Sequence, residues 1–439
     1  MTRHQQLSLF DQMNNSTDEH PDKITYNDSL HVTMATFKGG INAPFHNWFR
    51  LTPSFGPQLV HVMLDEMEAD QRGIVLDPFA GAGTTLIEAK LRGLESYGFE
   101  INPVLYFVSK TSTNWNVNIS IIEQLFLKIQ DRFFEEKAIK KDVDIRNIGI
   151  PIPPIHNVLR WWREDVLKDL LILRNVIDLV CHEAHPERDF FRLGLMGVLV
   201  PDLTNVTLGR LQLHFIDRTN DEINVWQTYA SKVKRMISDI KSVDPKRIGI
   251  PTTVFNIDST QVKISLPKEV DYVITSPPYP NRYSYVWNTR PHLYFFGYLK
   301  DSREASELDK KTIGGTWGTA TSCLKDGKVE PLYPIIQEKI EPIAEKIRAS
   351  DNLMANYVMK YFNAIAKHIV EQDKLLSKRA RCAYVIGCSR IKGVYIESDV
   401  LLGEIFEGLG LGYRVHKIER FRKRHSGKDL YESIVYVYK

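Results

Sequence analysis

Two short segments of this chain carry residue types suited to chemistry. In the first, Asp271-Tyr272-Val273-Ile274-Thr275-Ser276-Pro277-Pro278-Tyr279, an apolar strand runs into two prolines and an aromatic ring. Consecutive prolines fix the backbone and remove two donors, which leaves carbonyls free to meet a ligand. An amino group on an aromatic base is a weak nucleophile, because its lone pair is delocalised into the ring. Acceptors for both of its protons, here the Ser276 hydroxyl and the Pro277 carbonyl, favour the pyramidal nitrogen that can attack a sulfonium methyl. Pro278 stiffens the same corner, and Tyr279 is placed to stack on a base that has left a duplex. A Pro-Pro turn that merely ends a strand leaves the same trace, so this corner needs a partner.

The second segment supplies one. Val75-Leu76-Asp77-Pro78-Phe79-Ala80-Gly81-Ala82-Gly83-Thr84-Thr85 puts two glycines where a strand must turn sharply into a helix, so that backbone can approach a ligand closely. Asp77 suits a ligand with a cationic amino group. A phosphate-binding loop needs a Lys before its Ser/Thr, and none stands there, which argues against ATP and GTP. Glu100 ends the next strand, at the spacing where Rossmann-like folds use a carboxylate for ribose hydroxyls. Alone, a Gly-x-Gly turn is as often a tight connection and nothing more.

The elements that must hold these segments follow from pattern. The strand 74–76, the helix 84–92 closed by Gly93 and the strand 96–99 open a parallel, doubly wound sheet, because a tight parallel crossover needs an intervening helix. Helical spacing then dominates at 121–137, 158–180, 189–199 and 224–240. Strand patterns resume at 253–257 and 271–275 and return at 382–386, 413–419 and 432–438. The expected organisation is a flexible leader over 1–40, a catalytic α/β domain over 41–103 and 248–439, and a helical insertion over 104–247. The sheet is then split in sequence but continuous in space.

Composition narrows the class. The chain has 439 residues, 43% of them hydrophobic, enough for a large core with a sizeable insertion. A net charge of +3 announces no nucleic-acid partner by itself, so any basic surface must be local. The longest apolar runs are too short to span a bilayer and the N-terminus is unlike a signal peptide, so a soluble, cytoplasmic, nucleoid-associated protein is expected, with no membrane partner. Cys181, Cys323, Cys382 and Cys388 form no zinc spacing, which predicts no structural metal and reduced thiols in the core.

Together the two segments resemble the amino-methyltransferase family of DNA methylases. Asp77-Pro78-Phe79-Ala80-Gly81-Ala82-Gly83-Thr84-Thr85 looks like its cofactor motif, and Thr275-Ser276-Pro277-Pro278-Tyr279 like its catalytic motif. The similarity extends to residues 51–60, with Phe55 as the contact, to Glu100-Ile101-Asn102, where Glu100 corresponds to the ribose-binding acid, and to Asp258-Ser259, like the segment beside the adenine ring. The resemblance implies a Rossmann-like, seven-stranded mixed sheet, S-adenosylmethionine as cofactor, and direct transfer to a flipped base of double-stranded DNA. Ser before Pro-Pro-Tyr is typical of cytosine-N4 enzymes, with adenine N6 as the alternative and an RNA methyltransferase or an inactive DNA-binding homologue behind it. Methylation at carbon 5 needs a cysteine after a proline at this strand, and no cysteine fits. The insertion falls outside the family's common position for its recognition domain.

Several segments compete for contact with DNA. The tail carries Arg414, Lys417, Arg420, Arg422, Lys423, Arg424, His425 and Lys428, suited to phosphates and equally to a solvated strand edge and loop. The insertion carries Arg160-Trp161-Trp162-Arg163, whose tryptophans fit a core better, and Thr204-Asn205-Val206-Thr207-Leu208-Gly209-Arg210, where Arg210 suits a base edge. The polar stretch 301–330 is a candidate mobile loop. Tyr283, Tyr285 and Trp287 alternate as in an extended segment and could line the pocket or pack on the sheet. In the leader, Gln6-Leu7-Ser8-Leu9-Phe10 resembles the peptide by which bacterial proteins dock on the sliding clamp. A restriction-modification setting, with a cognate restriction endonuclease as partner, suits such an enzyme.

Overall fold

The computed structural model describes residues 21–27, 30, 33–181, 186–209, 212–315, 322–423 and 430–439. Its strands, in chain order, are β1 (Ile24–Tyr26), β2 (Ile74–Asp77), β3 (Glu95–Phe99), β4 (Val206–Leu208), β5 (Leu213–Phe215), β6 (Thr252–Phe255), β7 (Val270–Thr275), β8 (Leu376–Gly387), β9 (Ser389–Ile391), β10 (Val394–Ile396), β11 (Arg414–Lys423) and β12 (Tyr431–Tyr438). One sheet has the order β1-β11-β12-β8-β7-β2-β3-β6. Neighbours from β6 to β8 run parallel, whereas β12 is antiparallel to both β8 and β11.

Local chemistry explains the strands that matter most. Every residue of β2 is buried, as in a parallel strand covered on both faces. The helix Thr84–Arg92 stops at Gly93, whose φ of 90° is left-handed and suits glycine. The helix Pro57–Glu66 packs on one face of the sheet with Val75 and Ile274, and the helix Asn352–Asp373 on the other with Leu76 and Val273. From β2 the chain steps outward through β3 to β6, then crosses back to place β7 on the other side of β2. Successive connections thus leave β2 and β7 in opposite directions, and a crevice opens beyond their carboxyl ends, where open α/β sheets bind ligands. This is the expected Rossmann-like methyltransferase architecture with a mixed sheet.

The differences from expectation have physical reasons. The sheet has eight strands rather than seven, because β1 pairs in parallel with Ile418–Arg420 of β11. The leader is therefore anchored at residues 24–26, and Leu30 and Ala35 are buried beyond it. The helix Pro103–Ser112 packs beside β6 and also places Val104, Leu105 and Val108 in the helical core. That core is formed with Ile119–Ile139, Glu164–Val180, Pro186–Leu199 and Val225–Lys241 and encloses Phe133, Trp162 and Tyr229. That core is not polar at its root. Trp48 and Phe49 enter it, and Asp239 receives the Trp48 indole N–H at 2.8 Å and the Phe45 amide at 3.1 Å.

Tyr285 and Trp287 lie in the helix Tyr285–Phe295, capped by the Ser284 hydroxyl, so the expected extended alternation is replaced by a helical turn. Residues 302–311 also form a helix, with Asp309 buried and bonded to Ser284. Cys323 is exposed, unlike the other three cysteines. Among the described residues no helix is long and apolar enough to cross a membrane, and no cluster of three His, Cys, Asp or Glu side chains is placed to hold a metal.

Candidate active site

The crevice predicted by the strand order is a cavity of about 830 Å³, open in part to solvent. It gathers residues that are far apart in sequence. Phe55, Asp77, Pro78, Phe79, Ala80, Gly81, Thr84, Glu100, Ile101, Asn102, Asp258 and Ser259 line it, and so do Ser276 and Pro278. The glycine turn and the proline corner thus face one space, as the side-by-side parallel pairing of β2 and β7 requires. Its size suits a cofactor-sized ligand.

The turn owes its shape to two glycines with left-handed backbones. Gly81 has φ 52° and Gly83 φ 90°, and a side chain at Gly83 would press on Ser109 at 3.1 Å. Gly83 and Thr85 are absent from the cavity wall. Both shape the turn from behind: Gly83 caps the helix Thr84–Arg92, and the buried Thr85 hydroxyl donates to the Ile274 carbonyl of β7 at 3.3 Å.

The acids at the two strand ends are held by donors. Asp77 accepts from the Phe79 amide at 3.0 Å and from the buried Thr275 hydroxyl at 2.6 Å. Burial nevertheless pushes its pKa up to about 6, because removing water disfavours the charged form more than these bonds favour it. Glu100 takes the Gly81 amide on one oxygen at 2.9 Å and the Asn102 amide on the other at 2.8 Å. Each oxygen keeps a lone pair for a further donor. Burial raises Glu100 to about 7, and Asp77 adds repulsion. Asn102 is wholly engaged: its oxygen caps the next helix and its amide donates to Thr289 at 2.9 Å. Asp258 closes a turn through Thr260 at 2.8 Å.

The proline corner is clamped from three sides. The Tyr361 hydroxyl donates to the Pro278 carbonyl at 2.8 Å, the Arg282 amide donates to the Tyr357 hydroxyl at 3.2 Å, and Tyr279 donates to Glu432 at 2.9 Å. Tyr357 and Tyr361 lie one turn apart on the helix Asn352–Asp373 and are almost fully buried. Among the described residues nothing donates to the Pro277 carbonyl or pairs with the Ser276 hydroxyl. Two acceptors therefore remain open at a rigid corner. Pro277 itself is buried and, like Tyr279, is absent from the cavity wall.

Tyr285, one of the aromatics named as possible pocket residues, lines the cavity from the start of the helix after the corner. Sequence reasoning missed other wall residues: Ile257 follows β6, and Lys311, Thr312 and Ile313 arrive from the segment read as a loop. Only a hydrogen-bond pattern such as Ser284 to Asp309, invisible in one sequence, brings that last segment in. Thr275 had a signal, since it stands inside the catalytic motif.

Of the basic residues expected to meet DNA, Arg420 is turned inward. It is 7% exposed and pairs with Asp399 at 2.8 Å and Glu397 at 3.0 Å. A buried Asp399 demands a cation, and that need outweighs any phosphate contact by Arg420. Arg210, Arg424, His425, Lys428, Gln6-Leu7-Ser8-Leu9-Phe10 and the side chains of Arg422 and Lys423 lie outside the described residues. Trp161 and Trp162 are core, as their type suggested.

A family model described as DNA methylase matches residues 22–110. Three curated relatives align along most of their length. Type II methyltransferase M.MvaI of Kocuria varians is 23% identical over 373 residues, covering 81% of this chain and 78% of the relative. Type II methyltransferase M.BsoBI of Geobacillus stearothermophilus is 23% identical over 430 residues, covering 89% and 83%. Type II methyltransferase M.AvaI of Nostoc sp. (strain PCC 7120 / SAG 25.82 / UTEX 2576) is 22% identical over 420 residues, covering 90% and 85%. With both motifs facing one crevice, these matches support a DNA methyltransferase of the amino-methyltransferase kind, with S-adenosylmethionine as methyl donor.

Proposed function

We propose that this chain methylates the N4 amino group of cytosine in duplex DNA, as the methylating half of a restriction-modification pair. The reading is carried by Ser276, which precedes Pro277-Pro278-Tyr279 and lines the same cavity as Gly81 and Glu100. S-adenosylmethionine supplies an electrophilic sulfonium methyl. Asp77 faces the donor's ammonium group, Glu100 accepts the ribose hydroxyls, and Asp258 and Ser259 border its adenine side, with Phe55, Phe79 and Ile101 as apolar walls. The Ser276 hydroxyl and the Pro277 carbonyl accept the two amino protons, so the nitrogen lone pair turns toward the methyl. Tyr279, oriented by Glu432, stacks on the extruded base. The amino nitrogen would bond to the methyl carbon as that carbon's bond to sulfur breaks, leaving a neutral thioether, and the surplus amino proton would pass to water, with no covalent enzyme intermediate.

The names of the relatives, all Type II methyltransferases, favour the restriction setting and a cognate endonuclease. The helical lobe is the proposed region that reads the target, and Gln6-Leu7-Ser8-Leu9-Phe10 a proposed sliding-clamp peptide.

Genomic DNA from expressing cells, sequenced by a method that separates the two marks, is expected to carry N4-methylcytosine at one motif; N6-methyladenine alone would overturn the base assignment. Ser276→Ala should lower kcat by about 10²-fold, comparable to deleting one preorganised polar group at other reaction centres. Donor binding should also follow Glu100. Its folded pKa of about 7 lies above the ordinary value of 4.5, so the empty site is protonated at mildly acidic pH and must lose that proton to accept ribose hydroxyls. Affinity measured by calorimetry should be level above about pH 7 and fall by roughly tenfold per unit below it. The same shift makes the empty protein gain stability as pH falls from about 7 to about 4.5. A donor affinity unchanged down to about pH 6 would contradict the role given to Glu100. Leu9→Ala with Phe10→Ala should abolish pull-down by the clamp, and undiminished capture would end that proposal.

A further inference from the structure

A second cavity, of about 750 Å³, lies against the first and shares Leu51, Ser54, Phe55, Ala82 and Thr84 with it. It occupies the seam where the segment 37–57 meets the helix Val225–Lys241 of the helical lobe. Three cations converge there. Lys232 and Arg235, three residues apart on that helix, donate to the carbonyls of Asn47 at 2.6 Å and Asn42 at 3.2 Å, and Arg50 lines the same cavity. Among the described residues none of the three has a carboxylate within 4.0 Å, whereas the half-buried Arg192 and the buried Arg420 each have one. Asp202 lines the same cavity and, with Asp239, acts on Lys232 without pairing with it. Burial, with Arg50 and Arg235 adding, lowers the Lys232 pKa to about 8. A desolvated ammonium beside two guanidiniums is balanced only in part by these two acids, so the seam keeps an excess of positive charge for a further negative group.

We infer that this seam binds a backbone phosphate of the DNA, beside the cavity where the base is methylated. The proposal rests on the DNA reading above. Arg50 and Arg235 are exposed, so the anion arrives from outside, and a duplex presents phosphates closely enough spaced to engage several cations at once. Asp239 holds Trp48 and Phe45 on the same helix, so the cations of the catalytic part and of the lobe keep a fixed spacing.

The test compares wild type, Arg50→Gln and the pair Lys232→Gln with Arg235→Gln. Binding of mixed-sequence duplex DNA is measured over a salt series, with donor affinity measured alongside. The variants should bind DNA about tenfold more weakly. Their slope of log affinity against log salt should be shallower by about one unit per lost phosphate contact, with donor affinity unchanged. Wild-type DNA affinity and salt slope in both variants would overturn the phosphate site, as would weakened donor binding with DNA binding intact. Because Arg50 is exposed, Arg50→Gln keeps the question open to test even where the double variant misfolds. A wild-type protein that methylates duplex DNA while the variants match it rejects only the seam; one that neither binds nor methylates DNA rejects the underlying reading too.

Discussion

The site depends on a single buried hydrogen bond, 2.6 Å long, from the Thr275 hydroxyl to the Asp77 carboxylate. Thr275 ends β7 and Asp77 ends β2, and these parallel strands are neighbours. One leads into the proline corner and the other into the glycine turn. Thr85 adds a second tie, from the first helical turn to the Ile274 carbonyl. Methyl transfer is sensitive to the distance and angle between the reacting atoms, and a displacement of about 1 Å can cost about two orders of magnitude. Tying the two strand ends together fixes that geometry before any ligand arrives. The cost is an acid in a dry place, visible in the upward shift of Asp77.

The same economy recurs outward from the site. Glu100 is held open by the amides of Gly81 and Asn102, and Asn102 in turn grips Thr289 on the helix behind the corner. Tyr357 and Tyr361 reach the corner from a helix on the sheet's face, and Glu432 on β12 reaches Tyr279. Every connection to the reacting groups therefore runs to a rigid strand or helix. The helical lobe is tied in similarly, through Asp239 and the two aromatic residues it holds or flanks.

Much of this was legible in the sequence because the constraints are local. A left-handed turn such as Gly81-Ala82-Gly83 calls for glycine, two prolines have few places to go, and a strand buried on both faces reads as an unbroken apolar run. The parts that were misread depend on long-range partners. The Thr85 hydroxyl's bond to β7 has no trace in the local motif, and Arg420 looks like a phosphate ligand until Asp399 appears beside it, 21 residues earlier in the chain. Ile24–Tyr26 was absorbed into a polar leader because three residues are too few to show alternation. Their partner strand lies near the other end of the chain.

The most direct measurement is the single-turnover rate of labelled methyl transfer into duplex DNA by Thr275→Val, at saturating S-adenosylmethionine. Valine keeps the volume and removes the donor to Asp77. The protein should stay folded, and the rate should fall by about 10²-fold. A folded variant that transfers methyl at the wild-type rate would show that the strand-end tie does not set the reacting geometry.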